Sequence, residues 1–329
     1  MLIRHLRLRD ICSILFISLV HLSLTYWGAA PLAAQDAAAG RALPQVDRIV
    51  FLGDSITHAG GYIALLESAA GRQSPDRHIE FLNLGLPSET VSGLSEPGHA
   101  GGQFPRPDLH ERLARVLAQS KPKLVIACYG MNDGIYYPLG EDRSKAFREG
   151  MNRLHQAVVD SGADIIHLTP ALFDAQPIKD RVLPAGRDEY RQPYEGYDQV
   201  LTAYSEWLLS RRADGWKVLD VHAAMRKALD ERRAADAKFT FAGDGVHPND
   251  AGQAVIAGPL AEAWGLDLKA AEADPAQAAR LKAVKEKQNV LKLAWLSATG
   301  HKRPGIPAGL SIDQAAAKAA ELDKTARGK

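Results

Sequence analysis

Short apolar runs alternate with longer amphipathic stretches along the middle of the chain. The apolar runs lie at residues 48–52, 78–84, 123–127, 164–168 and 216–219. The amphipathic stretches lie at about residues 55–70, 108–120, 143–161, 197–213, 221–235 and 250–264. Short apolar runs are typical of buried strands, and apolar residues at helical spacing are typical of helices packed on one face. The alternation predicts an α/β protein with a five-stranded parallel sheet that helices cover on both faces.

The first apolar run ends abruptly at Gly53-Asp54-Ser55. Gly53 permits a tight turn, and either Asp54 or Ser55 can cap the helix that follows. This arrangement places a serine hydroxyl at the end of a strand and at the start of a helix, where unpaired N–H groups favour negative charge. Ser55 is therefore a candidate nucleophile whose oxyanion lies beside backbone donors. The alternative is that Ser55 only caps the helix.

Polar loops also follow the second and third predicted strands. Gly85 lies just after the second strand, and residues 91–107 then form a long loop rich in Gly and Pro. Asn132 lies in the loop after the third strand. Loops this long in compact domains are usually functional or disordered, and parallel sheets bind ligands at the carboxyl ends of their strands. The loops therefore predict one site at that edge of the sheet.

Asp244 and His247 lie just before the helix that closes the predicted domain. In a helical turn their spacing puts both side chains on one side, where Asp244 can accept a hydrogen bond from His247 Nδ1 and fix its tautomer. A serine nucleophile needs such a base, an orienting group and oxyanion donors. Gly85 can supply a bare backbone N–H, and Asn132 a side-chain amide. The plainer explanations are a surface pair for Asp244 and His247, a strand end for Gly85 and a turn for Asn132.

These motifs resemble the four ordered blocks of the SGNH (GDSL-type) hydrolases, over about residues 48–264. The blocks are Gly53-Asp54-Ser55, Gly85 in Asn-Leu-Gly, Gly130-Met131-Asn132-Asp133 and Asp244-Gly245-Val246-His247-Pro248. The first block continues with Ile where many members have Leu. The resemblance implies a flavodoxin-like, three-layer α/β/α sandwich that hydrolyses carboxylic esters.

The same resemblance assigns roles to individual residues. It implies that Ser55 is the nucleophile, with His247 as the base and Asp244 as its support. It implies that Gly85 and Asn132 donate to the oxyanion together with the Ser55 amide. No metal or cofactor is needed for this chemistry, and the other histidines show no metal-ligand spacing with the cysteines.

The first 34 residues differ in composition from the rest. Three arginines among the first ten residues precede a mostly apolar stretch at residues 11–30, and the small residues that follow end at Ala34. This order is typical of a secretory signal peptide cut near Ala34, and it predicts a secreted or periplasmic protein. The alternative is a retained membrane anchor, because the apolar run approaches the roughly 20 residues that a spanning helix needs. His21 and the small residues favour cleavage, after which we expect no stable membrane association.

Charge and cysteine content narrow the possible partners. The formal net charge is +1 over 329 residues, and 37 basic and 38 acidic residues remain without the predicted signal peptide. No basic stripe is present, so nucleic acid is not an expected partner. One cysteine, Cys128, also remains, so we expect packing and not a disulfide to stabilise the protein. Cys128 lies in an apolar run and is interpreted as a small buried residue.

Polar and aromatic side chains near the three loops favour a carbohydrate ester as the substrate. The candidate substrate-binding residues are His58, Glu89, His99, Arg106 and Tyr136. A polar pocket edged by aromatic groups suits a sugar better than a long acyl chain, and exported members of the family often remove acetyl groups from polysaccharides. We therefore expect a short-chain O-acetyl esterase that acts on a small-molecule or polysaccharide ester. The plainer explanations are helix capping for His58 and packing beside the sheet edge for Tyr136.

Two other functions stay open at this point. One is a lipase-like or lysophospholipase-like hydrolase of the same fold. The other is a catalytically silent, carbohydrate-binding protein, against which the complete set of motif residues argues.

The predicted organisation has four parts. They are a signal peptide at residues 1–34, a flexible leader at 35–46, the SGNH hydrolase domain at 47–267 and a helical C-terminal tail at 268–329. The tail prediction rests on a shift to Ala and Lys from Lys269 onward. A partly disordered tail is the alternative.

Overall fold

The computed structural model describes residues 41–269 and 275–326. The predicted signal peptide and residues 35–40 of the predicted leader lie outside the described residues. Residues 41–46 contact the domain instead of forming a flexible leader. Leu43 is buried, and its carbonyl accepts a hydrogen bond from Arg77 Nη1 at 3.2 Å. Among the described residues, no helix combines the length and the apolar character needed to cross a membrane.

Five parallel strands form one sheet in the order β2-β1-β3-β4-β5. They are β1 (Arg48–Gly53), β2 (Glu80–Asn83), β3 (Leu124–Cys128), β4 (Asp164–Leu168) and β5 (Lys217–Leu219). The predicted five-stranded parallel sheet is therefore confirmed. Ile49, Val50, Phe51 and Leu52 of β1 are all fully buried. Burial of consecutive residues is expected of a strand whose sheet has helices on both faces.

The strand register aligns the carboxyl ends of β2, β1 and β3. Phe51 pairs with Asn83 of β2 and with Ile126 of β3, and Gly53 pairs with Cys128 at the end of β3. The loops that follow these strands therefore begin at the same edge of the sheet. Cys128 is buried, as interpreted from the sequence, and burial raises the pKa of its thiol.

Helices pack on both sides of the sheet, as predicted. They are α1 (Ser55–Ala59), α2 (Gly61–Gln73), α3 (Leu109–Ser120), α4 (Glu141–Asp160), α5 (Tyr197–Ser210), α6 (Val221–Ala235), α7 (Asp250–Trp264), α8 (Pro275–Thr299) and α9 (Ile312–Ala326). The helix predicted at residues 55–70 is two helices, because Gly60 adopts a left-handed φ of 77°. A Cβ on Gly60 would lie 2.9 Å from Asn83 Nδ2, so the break also lets α1 approach the end of β2.

The predicted helical tail is present as α8 and α9. Helix α8 lies along the edge strand β2, where Gln288 Nε2 donates to Phe81 O at 2.9 Å. Lys287 of α8 also pairs with Glu67 of α2 and with Asp323 of α9. A helix that covers an edge strand and satisfies its outward carbonyl removes a site for unwanted strand pairing. The described part of the tail is thus packed on the domain and helical.

Two histidines stack on Trp216 where α4 covers β4 and the start of β5. The ring of His155 lies parallel to Trp216 with centroids 4.0 Å apart, and the ring of His167 lies 4.5 Å from it. His155 Nδ1 and His167 Nε2 are 3.0 Å apart. His167 is fully buried, and this burial lowers its pKa from 6.5 to about 3. The imidazole of His167 therefore stays neutral in the folded protein.

We expect substitution of His167 by Leu to reduce the loss of stability in mild acid. Because the folded pKa is depressed, the contribution of neutral His167 is complete above about pH 6.5 and is lost as the pH falls toward about 3. Between about pH 7 and about pH 5 the wild type should lose about 2 kcal/mol that His167→Leu keeps. Urea unfolding of both proteins at these two pH values measures the difference. An equal loss in both proteins would contradict the assignment.

Candidate active site

Ser55 begins α1 directly after the turn that ends β1. Asp54 caps this helix, because its Oδ1 accepts a hydrogen bond from Ile56 N–H at 2.9 Å. The turn requires glycine at Gly53, since a Cβ there would lie 2.2 Å from Thr57 Oγ1. Capping by Asp54 leaves the Ser55 hydroxyl available for another partner.

That partner is His247, which lies 192 residues further along the chain. Ser55 Oγ is 2.8 Å from His247 Nε2, and His247 Nδ1 is 2.6 Å from Asp244 Oδ2. A carboxylate accepts hydrogen bonds, so Nδ1 carries the proton and Nε2 has a free lone pair facing the hydroxyl. This is the geometry in which a histidine removes a proton from a serine.

The loop before α7 fixes the position of Asp244. Its Oδ1 accepts hydrogen bonds from the backbone N–H groups of Val246 and His247 at 2.9 and 2.8 Å. Partial burial raises the pKa of Asp244, but these bonds and the His247 ring outweigh that effect and hold the pKa below its usual value. Asp244 and His247 are each about half exposed, at 52% and 53% of the side chain. The aspartate therefore stays ionised beside a histidine that opens to solvent.

Gly85 lies against the nucleophile helix at the end of β2. A Cβ on this residue would be 2.5 Å from His58 N and 2.8 Å from the carbonyl carbon of Thr57, so only glycine fits. The Gly85 N–H donates to Asn83 Oδ1 at 3.0 Å. The amide predicted as an oxyanion donor is thus beside α1, but it already has a neutral acceptor in this structure.

The Asn132 side chain is nearly buried at the end of β3, at 3% exposed. Its Nδ2 donates to Glu89 O at 3.2 Å. Its Oδ1 accepts from Arg106 Nη1 at 2.9 Å and from the Tyr136 hydroxyl at 3.3 Å. A primary amide nitrogen has two hydrogens, so Nδ2 keeps a second one for another acceptor.

Glu89 does not occupy the position expected of a substrate ligand. Glu89 is fully buried, and its carboxylate accepts two bonds from Arg112, at 2.6 and 2.7 Å, and one from Tyr129 at 2.7 Å. The expectation that Glu89 lines a substrate pocket therefore does not fit its position, because a buried carboxylate must be paired inside the protein.

A hydrogen bond joins His58 to Gly85, which follows β2. His58 Nδ1 is 2.9 Å from Gly85 O, and since a carbonyl only accepts, Nδ1 carries the proton. Burial lowers the pKa of His58 to about 4, and the charge of Lys292 is the second largest cause of this shift. The imidazole of His58 is therefore neutral around pH 7.

The other three candidate substrate-binding residues form one connected group around Asn132. Arg106 and Tyr136 contact its Oδ1, as described above. His99 Nδ1 lies 3.6 Å from Glu96, and Glu96 in turn binds Arg106 with both carboxylate oxygens. Arg106 is only 8% exposed. The structure thus brings these three residues together beside Asn132.

Two further carboxyl groups are buried beneath the nucleophile. Burial raises the pKa of Asp54 to about 7, against the opposing bond from Ile56 N–H, and raises the pKa of Asp133 to about 6. Asp133 Oδ1 accepts from the backbone N–H groups of Val91 and Ser92, both at 2.8 Å. Asp133 therefore braces the start of the long loop against the turn that carries Asn132.

Asn83 and Lys292 are contacts of the site that sequence reasoning did not identify. Asn83 Nδ2 donates to Thr57 O at 2.8 Å, which joins the end of β2 to α1. Lys292 of the tail helix α8 is nearly buried, and its Nζ donates to His58 O at 2.8 Å. The sequence could have indicated Asn83, because it is a polar residue in an otherwise apolar strand. The sequence around Lys292 offers no comparable signal, because a tail lysine is ordinarily a solvent-exposed residue.

No cluster of three or more His, Cys, Asp or Glu side chains suited to a metal ion occurs among the described residues.

Solved structures share the arrangement of strands and helices described here. A catalytic mutant of Axe2, an acetylxylan esterase from Geobacillus stearothermophilus, gives a TM-score of 0.51 at 19% identity, over 69% of this chain and 97% of that chain. BT4096, a gut microbial diltiazem-metabolizing enzyme, gives a TM-score of 0.50 at 19% identity, over 69% of this chain. The chain spans about half of the length of BT4096, since 48% of that protein is covered. At such identities the likeness shows the fold.

The family comparison is more specific. No curated protein matches the chain significantly. The model of the GDSL-like lipase/acylhydrolase family matches residues 51–255, which is more than half of the chain and includes Ser55, Asp244 and His247. This match confirms the resemblance that the sequence motifs indicated. The chain therefore belongs to the GDSL-like lipase/acylhydrolase family and is a carboxylic ester hydrolase.

Proposed function

We propose that the protein hydrolyses short-chain O-acetyl esters of carbohydrates through an acyl-enzyme on Ser55. The observation that carries the mechanism is the unbroken hydrogen-bonded line from Ser55 Oγ through His247 to Asp244, with bonds of 2.8 and 2.6 Å. A serine hydroxyl is a weak nucleophile unless a neighbouring base removes its proton. His247 stands in position to do so.

The first half of the reaction forms the acyl-enzyme. Ser55 Oγ attacks the ester carbonyl carbon while its proton moves to His247 Nε2. The carbonyl π electrons move to the oxygen and give a tetrahedral oxyanion. When this intermediate collapses, the bond to the alcohol oxygen breaks, and the alcohol leaves with the proton from Nε2. Asp244 stabilises the transient imidazolium.

The second half of the reaction releases the acid. A water molecule gives a proton to His247 Nε2 and attacks the acyl carbon. The bond to Ser55 Oγ then breaks, and Oγ recovers the proton. The carboxylic acid departs, and the enzyme returns to its starting state.

Three donors are available for the oxyanion. They are the Ser55 N–H at the start of α1, the second hydrogen of Asn132 Nδ2 and the Gly85 N–H. The Gly85 amide donates to Asn83 in the present structure. A developing anion competes well for that amide, because hydrogen bonds to charged acceptors are stronger than those to neutral ones.

The surface composition supports a short acyl group. A long acyl chain needs an exposed apolar groove. Among the described residues, the exposed large hydrophobic side chains are Leu139, Val159 and Leu310. Leu139 precedes α4, Val159 lies in α4, and Leu310 precedes α9. These side chains therefore do not form a groove that begins at Ser55. Axe2, which shares the fold, is an acetylxylan esterase.

We also propose that the enzyme is exported. The basic, apolar and small-residue order of residues 1–34 supports this proposal. An exported esterase meets polysaccharide esters outside the cytoplasm.

We expect Ser55→Ala to abolish fluorophosphonate labelling and to lower kcat on acetyl esters at least about 10⁴-fold, because the acyl-enzyme no longer forms. In-gel detection of a fluorescent fluorophosphonate and p-nitrophenyl acetate hydrolysis measure the two effects. Ser210→Ala, an exposed serine at the end of α5, is the matched control and should behave as wild type. Equal rates for wild type and Ser55→Ala on every ester tested would favour a silent, carbohydrate-binding protein.

We expect activity to fall as the acyl chain lengthens. The kcat/KM for p-nitrophenyl acetate should exceed that for the octanoate at least about tenfold, because each added methylene needs a matching apolar pocket. Acetate release from acetylated polysaccharides, measured in parallel, tests the carbohydrate substrate. An optimum at long chains would favour the lipase-like function instead.

We expect Asn132→Ala to lower kcat by about 10²–10³-fold with little change in KM, because an oxyanion donor acts mainly in the transition state. Steady-state kinetics on p-nitrophenyl acetate measure both constants. Asn152→Ala, an exposed residue of α4, is the matched control. A loss confined to KM would mean that Asn132 binds the ground-state substrate and does not stabilise the oxyanion.

A further inference from the structure

Three hydrogen bonds inside the protein hold the Asn132 amide. Two donors reach its Oδ1, the Arg106 guanidinium at 2.9 Å and the Tyr136 hydroxyl at 3.3 Å, and its Nδ2 donates to Glu89 O at 3.2 Å. If the amide were flipped, its NH₂ group would face the Arg106 guanidinium, donor against donor. The cation therefore fixes which end of the amide carries the hydrogens.

Arg106 is itself held rigidly. Its Nε and Nη2 bind the two carboxylate oxygens of Glu96, both at 2.7 Å. The guanidinium also lies over the ring of Tyr136 at 5.3 Å, and the residue is 8% exposed. A forked, two-bond arginine–carboxylate pair sets the plane of the guanidinium. The third nitrogen, Nη1, is thereby aimed at Asn132.

These contacts leave Arg106 little capacity to recognise a substrate. Each of its three guanidinium nitrogens already has a partner inside the protein, namely Glu96 for two and Asn132 for the third. One N–H group on Nη1 and one on Nη2 remain, but the side chain that carries them is nearly enclosed, at 6% exposed. The sequence-based expectation that Arg106 binds substrate directly therefore does not fit its burial.

The backbone that places Tyr136 is strained. Ile135 and Tyr136 have φ values of 48° and 60°, a left-handed conformation that non-glycine residues, and β-branched ones above all, rarely adopt. Strain of this kind persists only where the surroundings enforce it, and it concentrates at functional sites. The Tyr136 ring stacks on Tyr197 with centroids 4.8 Å apart, and the Tyr197 hydroxyl donates to Met131 O at 2.8 Å. The turn from Met131 to Tyr136 is thus braced as one unit.

Two hydrogen-bond donors on the carbonyl oxygen of an amide also change the donor strength of its N–H groups. They draw electron density toward Oδ1 and make the N–H groups stronger donors, and one of the two donors is a full positive charge in a buried setting. The second hydrogen of Asn132 Nδ2 is therefore both aimed and polarised. Preorganised donors of this kind stabilise charge that develops in a transition state.

We propose that Arg106 and Tyr136 are positioning residues that orient and polarise the Asn132 amide for the oxyanion, with Glu96 holding Arg106 in place. This inference rests on the proposed serine esterase mechanism. It assigns the polar residues of the long loop to transition-state stabilisation and not to contact with the sugar. The two residues act through Asn132, and neither touches the reacting atoms.

The first test compares Arg106→Met and Tyr136→Phe with wild type on p-nitrophenyl acetate. We expect kcat to fall about 10–100-fold for Arg106→Met and about 3–10-fold for Tyr136→Phe, with KM within about threefold of wild type, since part of one oxyanion donor is lost. Arg143→Met is the matched control. Arg143 lies over Tyr137 at 5.4 Å and binds Pro138 O, but it has no bond to Asn132, so its kcat should stay near that of wild type.

The second test asks whether the effect passes through Asn132. In the Asn132→Ala background we expect Arg106→Met to change kcat less than about threefold, because the group that Arg106 positions is already gone. Titration of active sites with a fluorophosphonate corrects each rate for the fraction of competent enzyme. If Arg106→Met does not fold, Tyr136→Phe carries the same comparison, because it removes one hydroxyl and keeps the stacked ring.

The outcomes separate the inference from the function on which it rests. No esterase activity in the wild type overturns the proposed function itself. An active wild type with unchanged kcat in both variants overturns the positioning role. A raised KM at constant kcat would instead assign Arg106 and Tyr136 to substrate binding. If Arg106→Met lowered kcat by the same factor in the Asn132→Ala background as in wild type, Arg106 would act independently of Asn132. Partial recovery of kcat in Arg106→Lys relative to Arg106→Met is expected, because lysine keeps the charge and loses the fork.

Discussion

The pairing of β1 with β2 on one side and with β3 on the other is the constraint on which the site depends. Phe51 lies opposite both Asn83 and Ile126, so the three strands end at one edge. Ser55, Gly85 and Asn132 each follow one of these ends by a few residues. In a parallel sheet a slip of one residue would turn each side chain to the other face. Because β1 is packed on both faces, such a slip would force both layers to repack, and apolar packing therefore fixes the position of the nucleophile.

Buried charged side chains hold the loops at the same edge of the sheet in place. Glu89 and Arg112 form a fully buried pair, Glu96 and Arg106 form a second pair, and Asp133 accepts two backbone bonds. Buried ion pairs contribute little net stability compared with apolar packing, but breaking one of them is costly. Such groups are useful where geometry matters more than stability. They hold the long loop after β2 against the turn after β3, which is the place where an amide must keep one orientation.

The C-terminal helices extend this support beyond the matched family region. Helix α8 covers β2 through Gln288 and reaches α1 through the bond from Lys292 to His58 O. The family match ends at residue 255, so these contacts come from a part of the chain outside it. An edge strand that another element covers is protected from pairing with other chains. Here the same element also contacts the short helix that carries the nucleophile.

The sequence by itself determined the sheet, the order of its elements and the four motif blocks, because these depend on local periodicity and on residue types at fixed spacing. It located helices α4 and α7 to within a few residues. It did not show the break at Gly60, where the backbone is left-handed and a Cβ would come too close to Asn83 of another strand. Tertiary structure alone decided the partners of the polar loop residues. Glu89, Arg106 and Tyr136 looked like substrate ligands, since a polar residue in a loop is ordinarily exposed. Glu89 and Arg106 are buried against Arg112, Glu96 and Asn132, which lie 10 to 26 residues away, and the partly buried Tyr136 binds Asn132 within the same turn. The bonds that join different segments form only when the sheet brings those segments together.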